Sequence, residues 1–427
     1  MRNLFIKVFN YRKFPDHNPE VLKHNLTMHL TDGILFFLGA SLVSAQTVVP
    51  VFLQMTGATP MDIAAVQALG IIGLNLPQLL LIGRGFNPPR LLPLILKYSF
   101  IFRFMFFVIG VFAFFIPFVS RQIAVLSLMF LMISSAFLGS LAGPMWFHLL
   151  FLTTPVKLRG RLMGIRQFVG SLLGILGGFA VKIIIDSVAY PYSFGFIFIL
   201  SFLFLFISWF FVKRLIEPER EIAPLSDKQG EIFPRMKSIL KRDKRFLNYI
   251  IADFLTLMSF TSTSFFAIYG IGKFNLSPGV AGLFTMIMMA TMAVSNILFG
   301  ITADRKGHKL NIQFLLAAGA LSCITAIFAQ NSFMYGMVFV FAAVLLAIQG
   351  ISRIAFVAEI CEERDRIAYI GLLNFITAPA LLFGLLSGYL IKFLGYELIF
   401  AADAALSVIA FLILTLKVSN PRIIKNL

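Results

Sequence analysis

The chain has 427 residues, 59% of them hydrophobic and only 13% charged, with 36 Lys and Arg against 19 Asp and Glu, a formal charge of +17. Soluble domains hold about half apolar and roughly 25% charged residues. This composition, with its 50 Phe, therefore excludes a water-soluble fold, a disordered chain and a disulfide scaffold. The basic excess is read as the loops of a membrane protein, with no nucleic-acid partner.

Residues 1–27 are polar and basic (Arg2, Lys7, Arg12, Lys13, Lys23) and show no small-residue cleavage site after a short apolar core, so they are not read as a signal peptide. Leu4, Phe5, Val8 and Phe9 suit either a short interfacial helix or a frayed tail. A spanning helix needs roughly 20 mostly apolar residues. Cutting at charge clusters and turn residues predicts twelve spans. Six run near 28–53, 62–83, 98–118, 122–150, 165–186 and 193–213. Six more run near 247–271, 279–301, 311–330, 334–357, 368–391 and 397–416.

Basic residues then set the orientation. With both termini cytoplasmic, the inner loops hold Arg84, Arg90, Lys97, Lys157, Arg159, Arg161, Arg305, Lys306, Lys309, Arg364 and Arg366, and the outer side only Arg121, Lys182, Lys273 and Lys392. The stretch from Lys213 to Arg245 is rich in both signs and carries Pro218, Pro224 and Pro234. The expected organisation is an N-terminal six-helix bundle over 1–213, a cytoplasmic linker over 214–246 and a C-terminal six-helix bundle over 247–427. Cys323 and Cys361 lie far apart and read as apolar filler, and the five histidines show no metal spacing. No phosphate-binding lysine motif is present, so nucleotide hydrolysis is not the expected energy source. No cofactor, metal or catalytic residue is expected.

The two halves repeat. Asp32, Asn75 and Arg84 match Asp253, Asn296 and Arg305, each pair 221 residues apart. At an offset of 207, Arg159, Gly164, Gln167 and Phe168 match Arg366, Gly371, Asn374 and Phe375. Halves of the same topology are what a parallel repeat about the membrane normal predicts.

The loop Gly300-Ile-Thr-Ala-Asp304-Arg305-Lys306-Gly307-His308-Lys309 between spans 8 and 9 resembles the G-x-x-x-D-R-x-G-R-R motif of the major facilitator superfamily. Glu359 and Arg366 resemble that superfamily's E-x6-R element. The resemblance covers essentially the whole chain and implies an all-α polytopic fold of two pseudo-symmetric six-helix bundles. It implies a secondary transporter, not an enzyme, moving a small solute by alternating access. The motif residues Gly300, Asp304, Arg305, Gly307, Lys309, Glu359 and Arg366 are expected to form a cytoplasmic gate. In that reading Gly300 admits a close helix approach and Gly307 a tight turn. The first half lacks both acids, with Gly83 aligned to Asp304 and Leu152 to Glu359, so the lock is expected mainly in the second half.

Charged groups inside spans are costly and usually line a cavity. Asp32 and Asp253 occupy repeat-equivalent positions and are the coupling candidates, with anchoring near the cytoplasmic ends as the alternative. Asp32 is favoured because Gln46, fourteen residues on, would share its helix face. Gln46, Arg103, Gln349, Arg353 and Asn374 are expected to line the substrate cavity. Asn75 and Asn296 are expected to pin helices, and Gly170, Gly174 and Gly178 to form a close-packing face. Protons are the expected coupling ion, in a monomer resident in the cell (plasma or inner) membrane. Hydrophobic-cation efflux is the alternative within the class, and a non-transporting sensor or lipid-handling protein the alternative outside it.

Overall fold

The computed structural model describes residues 18–83, 88–219, 242–362 and 365–420, with Phe9, Phe14, Ile239 and Leu240 in addition, and without the side chains of 74–83, 367 and 368. Leu4, Phe5 and Val8, Arg84 in the first loop, the Asn75 side chain and most of the 214–246 linker lie outside the described residues. Among the described residues the regular structure is entirely helical.

Helix α1 (Pro19–Leu42) begins where the Asn18 side chain accepts from the backbone N–H groups of Glu20 and Val21 and Pro19 occupies the first turn. The chain turns over Val43–Thr47 and re-enters helix as α2 (Val48–Thr56), which ends on Gly57 at φ 101°. The expected first span is thus two helices. Pro50 gives the reason: in a continuous helix its ring would meet the carbonyl of Gln46. Helices α3 (Pro60–Gly83), α4 (Leu92–Phe115), α5 (Arg121–Thr153), α6 (Val156–Ser187) and α7 (Tyr192–Lys213) follow.

The second set repeats the pattern, including the break. Helix α8 (Lys244–Ser259) gives way to a 3-10 turn over Phe260–Ser264 before α9 (Phe266–Lys273), with a bend of 40°. The Thr261 and Thr263 hydroxyls donate back to Met258 and Phe260 carbonyls, the local competition that bends such helices. The Ser262 N–H also donates to Asp403 at 2.9 Å. Helices α10 (Val280–Lys306), α11 (His308–Phe328), α12 (Ser332–Ile360), α13 (Arg366–Thr377) and α14 (Phe383–Lys417) complete the chain, α14 turning at Gly395 with φ 78°.

Among the described residues eight helices are long and apolar enough to cross a membrane, and the bent pair α8–α9, taken as one span, makes a ninth. Their outward faces are apolar: Phe118, Phe130 and Phe333 are 79%, 70% and 91% exposed. A surface of that kind is solvated by hydrocarbon, and the chain is an integral membrane protein.

Two compact units result, and their boundaries differ from the contiguous halves expected. Unit one comprises Met1–Val43 and Gly73–Leu225; unit two comprises Ser44–Ile72 and Ser226–Leu427. One boundary of the 44–72 segment falls at the break after Leu42 and the other inside α3. Within unit two, Thr47 and Thr285 share a hydrogen bond of 2.6 Å and the Gln67 amide donates to the Ala45 carbonyl. A Cβ at Gly388 would press on the Pro60–Met61 backbone. In unit one, Gly170 and Gly177 of α6 lie so close to Phe37 and Ser41 of α1 that a side chain would collide. Of the expected run Gly170, Gly174 and Gly178, Gly170 is such a close-packing position, and Gly177, not in that run, is another.

Candidate functional site

Each unit holds a buried carboxylate gripped by arginine. In unit two, Asp253 of α8 is 4% exposed. Arg353 of α12 meets it as a fork, Nε donating to Oδ1 at 2.9 Å and Nη2 to Oδ2 at 2.7 Å. The remaining donors of Arg353 reach Asn374 Oδ1 at 2.9 Å and Thr377 Oγ1 at 3.0 Å, both on α13. The Tyr249 hydroxyl donates to the Arg353 carbonyl at 2.9 Å. Two-point charge-assisted bonds of this geometry are among the strongest available to side chains. A small cavity opens beside the pair, lined by Asp253, Arg353, Gln349, Thr256 and Tyr249. The expected residues Asp253, Gln349, Arg353 and Asn374 are therefore one constellation, to which Thr377 and Tyr249 are added.

In unit one the carboxylate is Asp32 of α1, 1% exposed. Its helix starts at Pro19, so the carboxylate lies about 20 Å along the helix. Arg166 of α6 pairs with Oδ2 at 2.8 Å, and Arg103 of α4 approaches Oδ1 at 3.7 Å. Ser208 of α7 donates to Oδ1 at 2.6 Å. Arg103 donates further to the carbonyls of Leu205 and Ser99 and to Ser208 Oγ. It is a member of a packed network, buried to 5%, and the structure does not show it facing open space. Arg166 stacks on Trp146 with 4.3 Å between its guanidinium and the ring centroid. Gly33 makes room for it, since a Cβ there would overlap the Arg166 stem.

The two clusters are related by the repeat, with one exchange. Asp32 and Asp253 correspond at offset 221. At offset 207, Arg353 corresponds to Trp146, while Arg166 corresponds to Leu373. The arginine that holds the aspartate comes from the helix pair's second member in unit one and from its first in unit two. This exchange hid Arg166 from the sequence comparison, which matched residues on either side of it.

The loop between α10 and α11 carries a second polar group. Gly307 ends α10 at φ 87°, ψ 166°, a region that is essentially glycine-only. Its turn brings the His308 N–H to Glu359 at 3.3 Å and the His308 ring to Ser352 at 3.1 Å. Lys309 donates to the Thr415 carbonyl at 3.3 Å. Asp304 and Arg305 are exposed, and Arg366 Nε has no hydrogen-bond partner among the described residues.

Two spans of the chain, residues 97–272 and 254–426, match the family model of the Major Facilitator Superfamily. The chain belongs to the major facilitator superfamily. Three solved structures illustrate the likeness. A point mutant of the nucleoside transporter NupG is 15% identical with a TM-score of 0.67, covering 91% of this chain and 99% of its own. A bacterial homologue of the iron transporter ferroportin in its inward-facing state is 16% identical, with TM-score 0.66 and coverages of 92% and 98%. The D-xylose–proton symporter is 15% identical, with TM-score 0.66 and coverages of 93% and 98%. At these identities the likeness is one of fold. No curated protein matches the chain.

Membership of the superfamily makes the chain a membrane transporter and not an enzyme, and it sharpens three corrections. Gln46 lies in the Val43–Thr47 turn, in unit two, while Asp32 is in unit one. The shared helix face on which Asp32 was preferred does not exist. Gly300 belongs to the superfamily's loop motif, yet a Cβ there would meet nothing within 4 Å, so it admits no close helix approach. Asn296 has no hydrogen-bond partner among the described residues and pins no helix there. Asp403, by contrast, has a clear structural role in the last span, accepting from Ser262 N and Oγ at the α8–α9 break.

Proposed function

We propose that the chain is a proton-coupled secondary transporter that moves a small solute across the cell membrane by alternating access, with both termini in the cytoplasm. The observation that carries this reading is the pair of buried aspartate–arginine clusters, one per unit, at repeat-equivalent aspartates. Charges placed in the interior of a membrane protein are costly and mark the solute or ion path. A buried ion pair also supplies a switch: a proton on the aspartate removes the charge that holds its arginine, and loss of the proton restores the grip.

Asp253 is the proposed coupling carboxylate. It is matched one-to-one by Arg353 and borders the cavity that Gln349 shares, whereas Asp32 is closed in by two arginines and Ser208. Asp304, Arg305, Glu359 and Arg366 are proposed to lock the cytoplasmic side in one state and part in the other.

The test is flux into proteoliposomes under an imposed proton gradient. Asp253→Asn is expected to abolish gradient-driven accumulation and to spare solute exchange. Accumulation by Asp253→Asn equal to that of the parent would remove Asp253 from coupling. For the lock, Asp304→Asn is expected to raise the labelling of cysteines placed on the cytoplasmic side; unchanged labelling would count against it.

A further inference from the structure

The intramembrane charges of the two units do not balance alike, and the difference points to a class of ligand. In unit two, Arg353 is matched by Asp253. In unit one, two guanidiniums, Arg103 and Arg166, stand against Asp32 alone. Between Lys23 and Asp186 the acids are Asp32 and Asp62 only, and of the acids flanking that stretch Glu20 pairs with Lys23 while Glu217 accepts from the Leu91 and Leu92 N–H groups. Asp62 belongs to unit two, where it caps α3 by accepting from Thr59, and Asp186 pairs with Lys182. Arginine does not give up its proton in proteins, so the core of unit one holds a surplus of one positive charge.

The surplus is not shared equally. Arg103 has acceptors for all three of its nitrogens, in Leu205, Ser99 and Ser208. Arg166 directs Nη2 to Asp32, and its Nη1 is fully buried with no hydrogen-bond partner among the described residues. Its neighbours supply no negative charge. Trp146 offers a ring face, and His29 packs its ring edge-on against Trp146 while bonding Thr153. Thr153 in turn lines a cleft with Leu22, Asn25 and Leu152. A buried donor on an uncompensated cation is destabilising while it stays unpaired. An arriving anion would relieve that penalty.

We infer that Arg166 is the anchor of an anion site in unit one, and that the transported solute carries a carboxylate or phosphate group. The free edge of Arg166 supplies the charged donor, Trp146 fixes the plane of the guanidinium, and Asp32 holds its other edge so that the fork is preorganised. The inference deepens the transport reading and rests on it.

The chain has two tryptophans, and Trp146 touches the proposed anchor, which makes the experiment direct. In a Trp209→Phe background, Trp146 emission is titrated with acetate, lactate and inorganic phosphate, and with xylose, uridine and choline as uncharged and cationic controls. A saturable change with acetate or lactate assigns a carboxylate ligand, and one with phosphate alone a phosphate ligand. No saturable change is expected with the controls. Arg166→Gln is expected to abolish the response. Arg166→Lys, which keeps the charge and lets the core fold if the glutamine variant does not, should weaken binding by about tenfold or more. A saturable response to xylose, uridine or choline, or none to any of the three anions, overturns the inference. The same solutes are then followed as flux into proteoliposomes. Flux of an uncharged solute without an anion response sinks the anion site and leaves transport standing. An anion response without flux of any solute keeps the site and sinks the transport reading.

Discussion

Asp32 and Asp253 are equivalent in the repeat but not in their surroundings, and single substitutions should separate them. Removing one partner of a buried pair leaves an uncompensated charge and costs about 3–5 kcal/mol. Asp253→Ala and Arg353→Met should each destabilise the protein on that scale, and the double variant should recover most of the loss. Denaturant unfolding in detergent measures all three; additive losses would mean that the pair is not coupled. Gly33→Ala should behave like the loss of Arg166, because the added methyl occupies the path of the Arg166 stem. A Gly33→Ala protein as stable as the parent would show that the arginine has another route. At this scale the sequence was informative wherever a charge interrupted an apolar run, as at Asp32, Arg103, Asp253 and Arg353. It was silent on Arg166 for a physical reason. That residue follows Lys157, Arg159 and Arg161 and sits at the edge of the expected span, where a basic residue looks like a boundary. In the structure α6 runs from Val156, which carries Arg166 well inside.

Helices bend where tertiary partners outcompete the backbone ladder, and such partners are not local in sequence. The α1–α2 break had one local sign, Pro50. The α8–α9 break has a local sign in the Thr261–Ser264 hydroxyl run, but its contact with Asp403, 141 residues away from Ser262, is not local in sequence. Of the twelve expected spans, eight or nine appear among the described residues as helices long and apolar enough to cross a membrane, the last two expected spans forming one continuous run over Tyr369–Lys417. The loop motif makes a clean pair of tests. Gly307→Ala forces a side chain into a glycine-only region and should cost about 1–3 kcal/mol. Gly300→Ala enters open space within α10 and should be neutral or stabilising by up to about 1 kcal/mol. Equal effects in thermal unfolding would refute the distinction. The exchanged arginine offers a further test. Trp146→Arg combined with Arg166→Leu places the unit-two arrangement into unit one. The double variant should be more stable than Arg166→Leu alone, because Asp32 regains a partner.

For the molecule as a whole, orientation rests on the basic residues and is open to labelling. Both native cysteines are buried, and burial pushes the Cys361 thiol up from its ordinary pKa, so background reaction with maleimide at neutral pH should be slow. Gln330→Cys is expected to label from outside in intact cells and Lys306→Cys only after permeabilisation. The opposite pattern would invert the topology. The sequence also led to two contiguous halves, because the linker is conspicuous in composition. In the compact units the segment 44–72 groups with the second half, a pairing between parts of the chain far apart in sequence that composition does not mark.

The exchanged arginine has a consequence for ancestry. A duplicated half that began with one wiring could not move its arginine to the neighbouring helix in a single step without stranding a buried aspartate, at a cost of about 3–5 kcal/mol. A route that keeps the carboxylate partnered throughout passes through a form in which two arginines address it at once. Unit one, with Arg103 and Arg166 around Asp32, shows that one carboxylate can be addressed by two arginines, although Arg103 on α4 is not the position that matches Arg353. A core with a spare cation is one in which inheritance can rewire the contact while descent keeps the carboxylate in place.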